Sequence, residues 1–189
     1  GRLVQAALEL YGERGFEQTT VAEIAERAGL TERTFFRHFA DKREVLFAGS
    51  GALQELLVGT VADAPASAAP IDAVAAGLEA AATLLQERRD YSRQRQAIIA
   101  GTPELQEREL IKLASLASAL ADTLRRRGVD GSAASLAAEA GIAVFKVAFD
   151  RWHDETNERD FPQLVRESLA ELRALTSEHR TPASALAPT

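Results

Sequence analysis

The 189 residues include no cysteine and no methionine, and only one tryptophan, two tyrosines, three histidines and six prolines. Without thiols there are no disulfides, thiolate metal sites or cysteine nucleophiles. Scarce proline, with 46% hydrophobic and 26% charged residues, excludes a linker or a disordered chain for most of the length. No four-residue run alternates apolar and polar residues between turn formers, so strands have no signal. The longest apolar stretch, Ala133 to Phe149, is interrupted by Glu139 and Lys146, and no basic-apolar-small leader opens the chain. Neither a membrane span nor a signal peptide is expected, and the reading is a soluble, cytoplasmic protein. With no methionine even at position 1, a short natural N-terminal arm is expected to be missing. The length suits one large domain or two small ones with a real core.

Charge is segregated along the chain. The whole carries a net charge of -6, with 22 Lys and Arg against 28 Asp and Glu, which argues against bulk attraction to nucleic acid. Between Arg27 and Arg43, however, Arg27, Arg33, Arg37, Lys42 and Arg43 face only Glu32 and Asp41. That segment is the candidate footprint for a polyanion.

Helical periodicity predicts an all-α fold of about nine helices. The first runs from Arg2 to Arg14 with Gly15 as its stop. Thr20-Val21-Ala22-Glu23 is a capping box opening a short helix that ends at Ala28-Gly29, and Thr31 caps a third helix reaching about His38. Asp41 to Glu44 reads as a second capping box, starting a fourth helix that continues past Phe47 and is weakened at Gly49 and Gly51. Ala64 to Pro70 is a loop. Further helices are expected at about Ile71 to Arg88, Tyr91 to Ile99, Pro103 to Arg127, Ser132 to Asp154 and Asp160 to Ser177. This organisation implies an N-terminal domain over 1–47, a helical domain over 48–178 and a disordered tail over 179–189.

Two short helices joined by Ala28-Gly29-Leu30-Thr31, the second carrying arginines, form a helix-turn-helix pattern that aims a helix N-terminus at the DNA major groove. Phe35 and Phe39, four apart, share a face that packs on Ile24, Ala28 and Leu30, leaving Glu32, Arg33, Phe36 and Arg37 outside. Arginine can donate two bonds to guanine and glutamate can accept from cytosine, so Arg33, Glu32 and Arg37 are the base-reading candidates. Thr20, Thr31, Thr34, His38 and Lys42 are the phosphate-holding candidates. The threonines and Asp41 would equally serve as plain caps.

The run from Thr19 through Phe39, followed by Asp41-Lys42, resembles the N-terminal helix-turn-helix of the TetR family of bacterial transcriptional regulators, over roughly residues 2 to 47. The resemblance implies a homodimer that represses, or less often activates, transcription from a palindromic operator and is released by a small ligand in the C-terminal helices. One position departs from the pattern: the aromatic that usually brings a hydroxyl to a phosphate is Phe36. The stretch Arg93 to Leu105, with Phe145, Phe149, Arg151 and Trp152, resembles the subgroup of acyl-CoA-like ligand-binding regulators similar to the mycofactocin regulator. That implies a fatty acyl-CoA effector, with Leu78, Leu85, Leu113, Leu116, Phe145, Phe149 and Trp152 lining an apolar tunnel and Arg93 and Arg95 near its mouth. The same stripe would serve as core, and the same arginines as ion-pair partners.

A dimer seam is expected from the last two helices. Leu136, Ala140, Ala143, Val144 and Val147 give the eighth a second apolar face, and Phe161, Leu164, Val165, Leu169, Leu172 and Leu175 supply the ninth. Two rival classes compete. For an enzyme the inventory is thin: His153-Asp154-Glu155 point in different directions from a helix, no Gly-rich phosphate loop is present, and no cofactor or metal is expected. An α-helical protein-interaction adaptor would use the helix-turn-helix only for packing.

Overall fold

The computed structural model describes residues 1–177, so the tail expected over 179–189 lies outside the described residues. Among the described residues all regular structure is helical: α1 (Arg2–Arg14), α2 (Val21–Arg27), α3 (Glu32–His38), a 3₁₀ turn (Glu44–Phe47), α4 (Ser50–Asp63), α5 (Pro70–Gln86), α6 (Arg89–Ala100), α7 (Pro103–Arg126), α8 (Gly131–His153) and α9 (Phe161–Ser177).

Local chemistry sets most of these limits. The Thr20 hydroxyl accepts from the Glu23 amide at 3.2 Å while Glu23 accepts from the Thr20 amide at 2.8 Å, completing the capping box of α2. Pro70 and Pro103 occupy first-turn positions of α5 and α7, where a missing amide hydrogen is harmless. The Arg127 guanidinium, just past α7, donates to the carbonyls of Ala62, Ala64 and Pro65 and pins the Pro-containing loop.

The fourth helix departs from expectation. Asp41 caps the Arg43 and Glu44 amides, but Glu44 does not reach back to close a second capping box. Its carboxylate is taken by Arg108 and Lys112 of α7. The helix stops after one turn because Ala48 (φ -56, ψ 127) and Gly49 (φ 92, ψ -7) take the central positions of a type II turn, the second of which calls for glycine. A new helix, α4, starts at Ser50.

Two cores result. The first gathers Leu10, Tyr11, Phe16, Ile24, Phe35 and Val45 to Phe47, and also takes Ile99 of α6 and Leu105 of α7. The N-terminal unit is therefore seated on the bundle rather than tethered to it. Burying Phe35 and Ile24 contributes about 1.5–3 kcal/mol each relative to exposure. The second core joins α4, α5, α7, α8 and α9, with α5 in the middle. Gly141 permits this closeness: a methyl there would run into Val74 of α5.

By length and hydropathy, the segments Glu44–Asp63 and Gly131–His153 are apolar enough to cross a bilayer. Here α4 packs on α5 and α7, and α8 packs on α5, α7 and α9. The expected seam residues divide. Leu136, Ala143 and Val147 are exposed along α8, whereas Val144 is buried within the chain. On α9, Phe161, Leu164, Val165 and Leu169 are likewise consumed inside, and Leu175 is exposed.

Candidate functional site

The turn between α2 and α3 ends α2 with a Schellman motif: Leu30 N bonds Ala25 O at 2.8 Å and Gly29 N bonds Glu26 O at 2.9 Å, with Gly29 at φ 64. Thr31 then caps α3, accepting from the Thr34 amide at 3.2 Å, and the two threonine hydroxyls lie 3.1 Å apart. Phe35 is fully buried and its ring meets those of Phe36 and Phe39. The opposite face presents Glu32, Arg33, Phe36, Arg37 and His38 to solvent, with Phe36 55% exposed. Among the described residues, Arg33 and Arg37 make no ion pair or side-chain hydrogen bond. Their guanidinium forks are open on one helix face.

The other cations of the basic segment are committed. Arg27 bridges Glu9 and Glu13, and Arg43 bridges Asp41 and Glu104. Lys42, expected to hold a phosphate, is engaged within the chain. Its Nζ donates to the carbonyls of Phe16 (2.9 Å), Thr19 (3.1 Å) and Glu17 (3.4 Å) and sits 4.3 Å from the Phe16 ring centroid. An ammonium has three donors, and here each has a carbonyl. The Thr20 hydroxyl is similarly occupied with Glu23.

A cavity of about 580 Å³ opens between the 3₁₀ turn, α4, α5, α6, α7 and α8. Of the residues expected in an apolar tunnel, Leu85, Leu113, Leu116, Phe145 and Phe149 line this cavity, and Arg95 supplies a cation. Leu78 and Trp152 do not reach it: Leu78 is spent in the core, and Trp152 lies stacked on Phe161 at 4.7 Å, behind Phe149. Arg93 turns away and donates to the Asp154 carbonyl at 3.3 Å. Leucine and tryptophan on a helix stripe carry no mark that separates core from wall.

Several lining residues escaped sequence reasoning. Arg88, Lys112 and Lys146 join Arg95 in the wall, against Glu109 and Asp150. Lys146 had a signal, being a cation that interrupts an apolar helix beside Phe145. Gln96 also lines the cavity, and its buried Oε1 has no partner among the described residues. Tyr91 stands there too, its phenol pushed above the ordinary 10.0 by burial, with Arg95 and Arg88 opposing. Burial works to raise the Glu44 carboxyl, but bonds from Arg108 and Lys112 outweigh it and hold it below the ordinary 4.5. A second space of about 770 Å³ is a wide-open cleft whose wall mixes Leu3, Val4, Leu30 and Phe39 with Arg2, His38, Asp41 and Arg108. It is less enclosed than the first.

A family model described as bacterial regulatory proteins of the TetR family matches residues 3–48, and one described as the MftR C-terminal domain matches residues 68–177. The chain belongs to the TetR family. Its C-terminal half is of the MftR type. It is 30% identical over 121 residues to MftR of Mycobacterium tuberculosis, named as a mycofactocin biosynthesis transcriptional regulator, covering 64% of this chain and 61% of that one. It is 39% identical over 79 residues to the HTH-type transcriptional regulator TcmR of Streptomyces glaucescens, covering 42% and 35%. The chain thus spans less than two thirds of either relative. In fold it is similar to the regulator FadR of Bacillus subtilis solved with stearoyl-CoA, at a TM-score of 0.63 and 20% identity, covering 90% of this chain and 96% of that one.

Proposed function

We propose that the chain is a cytoplasmic transcriptional repressor that binds a palindromic DNA operator as a homodimer and is released by a fatty acyl-CoA. The observation that carries the DNA reading is the open pair of guanidinium groups, Arg33 and Arg37, on the exposed face of a helix capped by Thr31. Buried arginines find partners; these two await one. Glu32, Thr34, Phe36 and His38 complete the contact face, and Thr20 and Thr31 border it. Leu136, Ala143 and Val147 support a seam through α8, with Leu175 extending it along α9.

The effector reading rests on a cavity that pairs apolar walls with cations. Leu113, Leu116, Phe145 and Phe149 suit an acyl chain, and Arg88, Arg95, Lys112 and Lys146 suit an acidic head. The FadR likeness in fold, and that protein's stearoyl-CoA, favour the same class.

The test begins with selection of a duplex from a random library, followed by binding across a salt series. Sequence-specific binding that falls steeply with salt supports the regulator. No duplex binding at low salt would instead leave an α-helical adaptor. Acyl-CoAs of graded chain length are then titrated, with Trp152 fluorescence reporting through Phe149 and native mass spectrometry counting ligand. Affinity rising with chain length and release of the selected duplex support the acyl-CoA effector; no binding at any length removes it.

A further inference from the structure

In an unbroken helix the carbonyls of Leu46, Phe47 and Ala48 would accept from the amides of Ser50, Gly51 and Ala52. The type II turn at Ala48 and Gly49 keeps the two sets apart. The first bond of α4 runs from the Leu53 amide to Gly49 O at 3.0 Å, and the three preceding amides have no backbone acceptor among the described residues. Arg95 of α6 holds the Leu46 carbonyl instead, donating from Nε at 2.7 Å. Its Nη1 donates to Glu109 at 3.0 Å, and its guanidinium carbon lies 5.0 Å from the Phe47 ring centroid.

Arg95 faces the cavity together with Phe47, Gly49 and Ser50. A guanidinium receives an oxyanion on a two-donor edge, either Nε with Nη2 or Nη1 with Nη2. Leu46 O occupies one edge and Glu109 the other. An oxyanion that takes either edge of Arg95 displaces one of them, and the neutral carbonyl is the weaker competitor.

We propose that Arg95 senses the effector: an oxyanion of the ligand takes the Nε–Nη2 edge, frees the Leu46 carbonyl, and lets residues 44–63 close into one helix. The inference rests on the effector reading above. Closure replaces one side-chain bond with backbone bonds from Ser50, Gly51 and Ala52. Gly49 and Gly51 disfavour the closed helix enough to keep the two arrangements balanced. Because Val45, Leu46 and Phe47 are packed in the N-terminal core, closure re-aims the unit that carries α3. The turn form is then the operator-binding form, and the oxyanion selects against it.

Gly49→Ala isolates the switch, since the added methyl meets nothing within 4 Å and only the positive φ of the turn is strained. Without ligand, hydrogen exchange at the amides of residues 50–52 is expected to slow, by about tenfold or more. Operator binding weakens about tenfold and stearoyl-CoA binding tightens by the same factor, as linkage requires. Arg95→Gln gives the same slowed exchange without ligand, and stearoyl-CoA no longer alters it. Stearate and stearoyl-CoA on the wild type separate a carboxylate from the CoA phosphates: whichever slows exchange at 50–52 supplies the oxyanion. Unchanged exchange at 50–52 in both variants overturns the switch. If neither lipid binds the wild type, the acyl-CoA effector fails instead, and the ligand-free exchange of the two variants still decides the switch.

Discussion

Two arginine-bearing helices, α3 and α6, put the same residue type to opposite uses. On α3, Arg33 and Arg37 stand on an exposed face with no protein partner among the described residues. On α6, Arg89 donates to the carbonyls of Trp152 and Asn157, Arg93 to that of Asp154, and Arg95 to that of Leu46 and to Glu109. A helix that leaves its guanidinium groups unpaired keeps their donors open to solvent or to an external anion. One that spends them on carbonyls is holding its neighbours in place, and only a ligand that outcompetes those carbonyls can release them.

Removing the support of α3 gives the largest expected effect. Phe35→Ala empties a fully buried site and should destabilise the protein by about 3–5 kcal/mol, read by urea unfolding, with operator binding lost alongside. A near-neutral result would mean that the reading face does not depend on its inner face.

The next contrast pits a free cation against a committed one. Arg33→Ala should weaken binding to the selected operator by about 1–3 kcal/mol and relax its base preference, while leaving stability unchanged. Lys42→Ala should do the reverse, lowering stability by about 1–3 kcal/mol through the carbonyls of Phe16 and Thr19 while leaving the salt slope of DNA binding alone. A reduced slope for Lys42→Ala would restore it as a phosphate contact.

A smaller effect concerns the foot of α6. His153 bonds the Phe149 carbonyl through Nδ1 at 2.9 Å and meets Ser92 Oγ at 3.2 Å, which suits a neutral ring protonated at Nδ1. Burial, with Arg93 and Arg89 adding to it, pushes its pKa below the ordinary 6.5 against the opposing bonds to Phe149 and Ser92. Above 6.5 neither folded nor unfolded chain is protonated there. Below it the unfolded chain takes the proton first, so this site costs stability as pH falls through 6.5. Thermal unfolding of wild type and His153→Asn between pH 7.5 and 5.5 should show a flatter pH dependence in the variant.

Smallest is the gain from Phe36→Tyr, which puts a hydroxyl on an exposed ring of the α3 face. Operator affinity should rise by roughly three- to tenfold, the worth of one net hydrogen bond. No change would mean that this ring lies away from the phosphates.

The N-terminal unit was legible because its signals are local. Thr20 with Glu23, Gly29 after Ala28, and Thr31 before Thr34 each bond within a few residues, so type and spacing suffice. The intrachain bonds of Lys42 are not legible in the same way, because its carbonyl partners lie 23 to 26 positions away. The capping box expected at Asp41 to Glu44 failed for the same reason, since Arg108 and Lys112 claimed the Glu44 carboxylate from α7. In the cavity, Leu113 and Phe149 line the wall while Leu78 and Trp152 sit in the core, although all four share the same apolar periodicity.

Composition and periodicity by themselves determined an all-α fold for the described residues, the places where most helices begin and end, and an exposed arginine face on α3. Those properties depend on residues one or two helical turns apart. Tertiary structure alone decided which cations remain free, which apolar side chains border a space, and that the helix after Asp41 breaks at Gly49. Each of those outcomes is a competition between local partners and groups brought from far along the chain.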